Sequence, residues 1–232
     1  TSDGFFFAVY PKRSGREIEI DTEESWRRIG SLIARVHSVG DYEDAPHRIM
    51  HHPLETTGEQ IDILLDGDYI APQSRKPFAI IADRLMELIV PLFEEVEFIR
   101  IHGDCHRGNI LERPGEGLML IDFDDMMVGP PVQDLWLLLP DHALESRREI
   151  AWLLEGYTML RDFDRRTLRL IEPLRAMRMI YFLAWIARQT VDFNFAQRFE
   201  GWGTDAFWRR EVIDLEQQYV IIRQSLQGDL PV

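Results

Sequence analysis

Ile99-Arg100-Ile101-His102-Gly103-Asp104-Cys105-His106-Arg107-Gly108-Asn109-Ile110-Leu111, answered by Leu118-Met119-Leu120-Ile121-Asp122-Phe123-Asp124-Asp125, is the stretch on which the reading of this chain turns. Two short apolar runs flank a polar loop, and a third follows the break Pro114-Gly115-Glu116-Gly117. This is the pattern of strand, polar loop, strand, turn, strand, with an acidic loop after the last strand. The polar loop carries Asp104 and, five residues on, Asn109; Asp122 arrives just past the next strand pair. Two carboxylates and a neutral amide oxygen can share a hard, oxygen-liganded cation such as Mg²⁺, with substrate phosphates completing its shell.

His102-Gly103-Asp104-(four residues)-Asn109 stands where the protein-kinase template has H-R-D-x-x-x-x-N, and Asp122-Phe123-Asp124 stands where it has D-F-G. The Gly after the His resembles the aminoglycoside phosphotransferase and choline kinase branch of that fold. Further stretches resemble the stress response kinase A group, bacterial Ser/Thr protein kinases within the branch. They are Gly129-Pro130-Pro131-Val132-Gln133-Asp134-Leu135-Trp136 and Ile171-Glu172-Pro173-Leu174-Arg175-Ala176-Met177-Arg178.

The resemblance implies a mostly α chain with a small β element (α+β), the C-terminal lobe of a kinase-like fold. It divides the chain into residues 1–15, the last strand of an N-terminal lobe and a hinge, and residues 16–232, a helical lobe with its site loops at 102–125. It implies ATP as co-substrate, Mg²⁺ as cofactor and a Ser/Thr hydroxyl of a protein as acceptor. Asp104 would face that hydroxyl, while Asn109 and Asp122 hold the metal and Asp122 bridges to the outer phosphates. His102 would anchor the loop, His106 would reach toward the transferred phosphate, and Asp134 would brace the loop from the start of a helix. Asp124, in place of the Gly of D-F-G, adds a carboxylate near the metal. Ala8, Val9 and Tyr10 would face adenine with their backbone.

The kinase template also needs a Gly-rich loop and a strand Lys on the phosphates. Neither lysine of this chain, Lys12 or Lys76, follows a Gly-rich turn or sits in an apolar strand. The expectation is that an N-terminal lobe of roughly 90–100 residues is absent here, and that this stretch alone is inactive. The exposed edge of the Phe5-Phe6-Phe7 strand would then favour self-association.

With 232 residues, 45% of them hydrophobic and 11% aromatic, the chain can bury a sizeable core. A net charge of −14 argues against nucleic acid as main partner. There is no apolar run of the roughly 18 residues that a membrane helix requires. The single Cys105 rules out an internal disulfide and suits a reducing, cytoplasmic setting.

Along the chain, Asp21 with Glu24 reads as a box-like cap for a helix whose Trp26, Ile29, Ile33 and Val36 recur at helical spacing up to Gly40. Residues 41–76 read as irregular, with a short helix near Glu59 to Leu65 and with His47, His51 and His52 on the surface. A helix follows through Phe78, Ile81, Leu85, Leu88, Ile89 and Leu92. Gly129-Pro130-Pro131 reads as an extended turn, and helices are expected at Gln133 to Leu139, 143–160, 165–191 and 204–225.

Other readings stay open. The motifs serve small-molecule kinases equally well, with aminoglycoside, choline or homoserine-like acceptors, and Trp185, Trp202 and Trp208 offer material for a cation cage. His102-x-Asp104-x-His106 also fits part of a zinc hydrolase site. A kinase-like lobe that only binds is the third. Cys105 beside His106 diverges from it in an extended segment and reads as a packed thiol.

Overall fold

The computed structural model describes residue 9, residues 11–228 and residue 230. Ala8, Tyr10 and the Phe5-Phe6-Phe7 edge lie outside the described residues; Val9 is 84% exposed.

The chain is helical around two small antiparallel sheets. Strand β1 (Arg16–Glu17) pairs with β3 (Ile110–Arg113), which pairs with β4 (Gly117–Leu120). Strand β2 (Ile99–Ile101) pairs with β5 (Met127–Gly129), Ile99 facing Gly129. β5 ends on Gly129, the first residue of the stretch read as an extended turn. The two prolines at 130 and 131 disguise it, because they end the strand without preventing pairing just before them.

Helix α1 (Glu23–Gly40) carries Trp26, Ile29 and Ile33 on its buried face. Its cap is one residue later than expected. Thr22 Oγ1 accepts from Ser25 N at 3.1 Å, and Ser25 Oγ accepts from Thr22 N at 3.1 Å. A Ser hydroxyl at Ser25 takes the place that Glu or Gln has in a standard box. α1 packs on α5 (Arg147–Thr158) through a pair of glycines. A Cβ at Gly30 would collide with the Leu153 carbonyl, and one at Gly156 with the Arg27 carbonyl. The two backbones approach as closely as glycine permits.

Residues 41–76 are more ordered than their composition suggests. They hold α2 (Thr56–Asp66) and the start of α3 (Pro72–Ile89). Thr56, Thr57 and Gly58 mute the helical pattern of α2, and Pro72 at the first position starts α3 without losing a needed N–H. The segment read as a helix from Gln133 to Leu139 forms only α4 (Gln133–Trp136). Leu138 N and Leu139 N then donate three residues back, to Leu135 and Trp136, in a tight turn before Pro140.

The long helix expected over 165–191 is three pieces: a 3₁₀ turn at Arg165–Leu170, α6 (Ile171–Arg188), and a second 3₁₀ turn at Gln189–Val191. Pro173 dictates the join, since it fits only the first turn of a helix. α6 is the central helix. Its Met177, Ile180, Leu183, Ala184 and Ala187 are buried, and α2 and α8 (Asp205–Ser225) pack on it. A four-residue helix, α7 (Phe195–Arg198), lies between α6 and α8.

At the start of α6 the buried Glu172 joins three parts of the chain. It accepts from Ala143 N at 2.8 Å, Gln218 Nε2 at 2.9 Å, His142 Nδ1 at 2.9 Å and Arg175 Nε at 3.2 Å. Burial pushes its carboxyl up, but these donors outweigh that and hold it below the usual carboxylate range. Trp208 is fully buried against Phe78 and donates to the Tyr69 carbonyl at 2.6 Å, so it is core and not cage.

Candidate active site

β2 delivers the chain into the loop at 102–109. Two carboxylate bonds fix the start of that loop: His102 N and Gly103 N donate to Asp134 at 2.7 and 2.8 Å. Gly103 has φ +87°, and a Cβ there would strike the Asp125 carbonyl. Asp134 is itself 1% exposed and is met by His37 Nε2 at 3.0 Å. His37 Nδ1 lies 2.9 Å from the Tyr157 hydroxyl, which Arg161 reaches from the surface at 3.3 Å. Burial pushes the Tyr157 phenol up to about 12, so it stays protonated as a donor.

The His102 ring is fully committed. Nδ1 accepts from Asp104 N at 3.3 Å and Nε2 donates to the Ile121 carbonyl at 2.8 Å. With both nitrogens used by backbone, His102 has no lone pair for zinc. Among the described residues no group of three His, Cys, Asp or Glu is arranged to hold a metal ion. The Cys105 thiol is buried, and burial raises its pKa well above the usual value, with Asp134 and Asp104 adding to the effect. It is a packing group and not a nucleophile.

The β3–β4 pairing brings the two loops together. Ile110 faces Leu120, and Ile121 N donates to the Asn109 carbonyl at 2.9 Å, which sets Asp122 one residue beyond Asn109's partner. Asp122 has φ +65°, a left-handed turn that ends the strand abruptly. Phe123 follows, 39% exposed, its ring edge-on to His102 at 4.7 Å. Asn109 Nδ2 donates to the Asp104 carbonyl at 2.9 Å, which fixes the amide and leaves its oxygen as the free end. Among the described residues neither that oxygen nor the Asp122 carboxylate has a protein partner. These uncommitted hard oxygens fit a divalent cation of the Mg²⁺ type.

Asp104 points elsewhere, into a cleft of about 370 Å³. Its Oδ1 pairs with Arg178 Nη2 at 2.9 Å, and its Oδ2 lies 3.4 Å from His106 Nε2. His106 Nδ1 accepts from Gly108 N, so its proton sits on the Nε2 that faces Asp104. The cleft is walled by α2 on one side, the acidic loop on another and α6 beneath; Arg178, His51, Thr57, Asp125 and Met177 line it with Asp104. Asp124 is exposed at the rim.

Three lining residues lie outside the motif, and they differ in how visible they are in the sequence. Arg178 is a lone cation within the apolar run Met177 to Ala187, and it sits part-exposed at the cleft with its guanidinium on Asp104. His51 reads as a surface residue in the sequence, yet it is half-buried in the cleft. Burial holds its pKa at about 4, Arg178 adding to that and Gln133 and Asp134 opposing it, so the ring is neutral at pH 7. Thr57 gave no signal at all, because a Thr in a polar stretch is ordinary.

A profile of the phosphotransferase enzyme family matches residues 1–171. Stress response kinase A of Escherichia coli strain K12 is 34% identical over 222 residues, which cover 95% of this chain and 67% of that protein. The serine/threonine protein kinase RdoA of Salmonella typhimurium is 31% identical over the same length. Among solved structures, amicoumacin kinase in complex with AMP-PNP, Ca²⁺ and Ami superposes with a TM-score of 0.64 at 19% identity. It covers 90% of this chain and 64% of the other. A microcompartment-associated aminopropanol kinase follows at 0.58 and 15%, covering 89% and 63%. The chain thus spans about two thirds of the length of the proteins it matches.

Proposed function

Because this chain belongs to the phosphotransferase enzyme family, with stress response kinase A among its relatives, we propose that the intact protein transfers the γ-phosphoryl group of ATP to a Ser or Thr hydroxyl of a protein. The observation that carries the reading is the division of labour around one loop. Asp104 faces a cleft, held by Arg178, while Asn109 and Asp122 leave free oxygens on the adjoining strand ends. A divalent cation held by Asn109 and Asp122 would join the outer phosphates and neutralise charge that develops on them.

The rest is the work of this chain's own groups. Asp104 orients the acceptor hydroxyl and takes its proton late, since a loose transition state needs little deprotonation of the nucleophile. Arg178 and His106 keep the Asp104 carboxylate aimed at the cleft. Asp134, with His37 behind it, holds the loop from which Asp104 projects. The acceptor oxygen forms its bond to phosphorus as the bond to the β–γ bridging oxygen breaks, and ADP leaves with that electron pair.

A second reading, a small hydroxyl compound as acceptor, is favoured by the enclosed size of the cleft and by the named substrates of the structural neighbours. The test is transfer of labelled γ-phosphate by the intact protein to a degenerate Ser/Thr peptide pool, with ethanolamine and kanamycin alongside. Transfer to the peptides that needs Mg²⁺ and Asp104 supports the proposal; transfer only to the small compounds moves the assignment to the second reading.

A further inference from the structure

The wall of the cleft opposite the catalytic loop holds an anomaly. Thr57, in the first turn of α2, is 1% exposed, and its Oγ1 is the one buried side-chain polar atom without a hydrogen-bond partner among the described residues. Its neighbour Thr56 has the usual solution for a helical Thr, a bond to the His52 carbonyl four residues back. The equivalent carbonyl for Thr57, that of Pro53, is taken by Gly58 N at 2.9 Å. Buried hydroxyls are rarely left unpaired, and an exception calls for a partner such as a bound ligand.

Gln60 lies three residues on, along the same helical face, and lines the same cleft. Among the described residues its amide has no hydrogen bond either. Three of the other polar groups that line the cleft are committed within the protein. Arg178 is on Asp104, Gln133 is on the Gly103 carbonyl and Trp136, and Arg48 is on the carbonyls of Asp124 and Met126. The unused hydrogen-bonding groups of the α2 wall are therefore an uncharged hydroxyl and an uncharged amide. A side-chain amide offers one donor and one acceptor side by side, the complement of a peptide group.

We propose that Thr57, with Gln60, is the specificity-determining pair of the acceptor site, hydrogen-bonding a main-chain amide next to the phosphoacceptor Ser or Thr. The inference rests on the phosphotransferase reading and deepens it by assigning the acceptor class to a particular wall. It gives a peptide main chain two uncharged hydrogen-bonding partners on the α2 wall.

The test compares the intact wild-type protein with Thr57→Val, Thr57→Ser and Gln60→Ala, on the peptide pool and on ethanolamine. Thr57→Val keeps the shape and deletes the hydroxyl. The expected result is a KM for the peptides raised about tenfold, the scale of one lost hydrogen bond to a ligand. Thr57→Ser should restore it, with the KM for ATP unmoved and ethanolamine unaffected. If the unpaired hydroxyl is only a local defect, every KM stays where it was in Thr57→Val. That outcome overturns the proposal, as does an equal loss toward ethanolamine. Should the wild-type protein transfer phosphate to nothing, the failure falls on the phosphotransferase reading. Anisotropy of the labelled peptide pool then decides this one, since Thr57→Val must still weaken peptide binding.

Discussion

Asp104 has both carboxylate oxygens engaged, one on Arg178 at 2.9 Å and one facing His106 at 3.4 Å, while 22% of its side chain stays open to the cleft. A group so held is oriented before the acceptor arrives. Asp104→Asn should therefore lower turnover of the intact enzyme by about 10²–10⁴ with the KM for ATP nearly unchanged. An equal loss in ATP affinity would make Asp104 a nucleotide or metal group instead. His51 supplies a pH prediction. Its folded pKa is about 4, below the value of roughly 6.5 expected in an unfolded chain. The unfolded chain thus binds the extra proton first. The stability His51 confers is complete above about pH 6.5 and is lost as pH falls toward 4. His51→Gln should flatten a melting-temperature profile over that window; an unchanged slope would show that His51 titrates normally.

Among the elements, the α1–α5 contact depends on absent side chains. Gly156→Ala puts a methyl group against the Arg27 carbonyl, and Gly30→Ala does the same against Leu153. Each should destabilise by about 2–3 kcal/mol, the usual cost of overpacking, which lowers the melting temperature by roughly 4–12 °C in a chain of this size. A loss below 1 °C for Gly156→Ala would mean that the two helices separate at little cost. The same scale shows why some elements could be read and others not. α1 and α8 declare themselves because their apolar residues recur at helical spacing against a polar opposite face. The body of α2 is legible as a short helix near Glu59 to Leu65, and only its first turn hides behind Thr56, Thr57 and Gly58; the break before α6 shows only as Pro173. β2, β3 and β4 were legible from short apolar runs bounded by a Gly-rich turn and polar loops. The motif proposed to carry the chemistry is visible in the sequence because that chemistry requires fixed residue types at fixed spacing. The cleft walls are not, since Arg178, His51 and Thr57 share the cleft with Asp104 from 74, 53 and 47 positions away.

At the scale of the molecule, this chain matches about two thirds of its stress response kinase A relatives, and its residues include neither a Gly-rich phosphate loop nor a strand Lys. We expect residues 1–232 alone to fold, since α1, α5, α6 and α8 surround one buried cluster that runs from Ile18 to Ile222. We also expect them to transfer no detectable phosphate, because each lost electrostatic contact in a dry site costs roughly 10²–10³ in rate. Transfer by this stretch alone that vanishes in Asp104→Asn would contradict that. The central claim is that Asn109 and Asp122 hold a cation for phosphoryl transfer while Asp104 serves the acceptor. Binding of Mn²⁺, read by electron paramagnetic resonance on the intact protein with AMP-PNP, separates the two roles. The account predicts that Asp122→Ala abolishes the bound-Mn²⁺ signal and that Asp104→Asn retains it. A signal that survives Asp122→Ala at wild-type affinity, or is lost in Asp104→Asn alone, would contradict it.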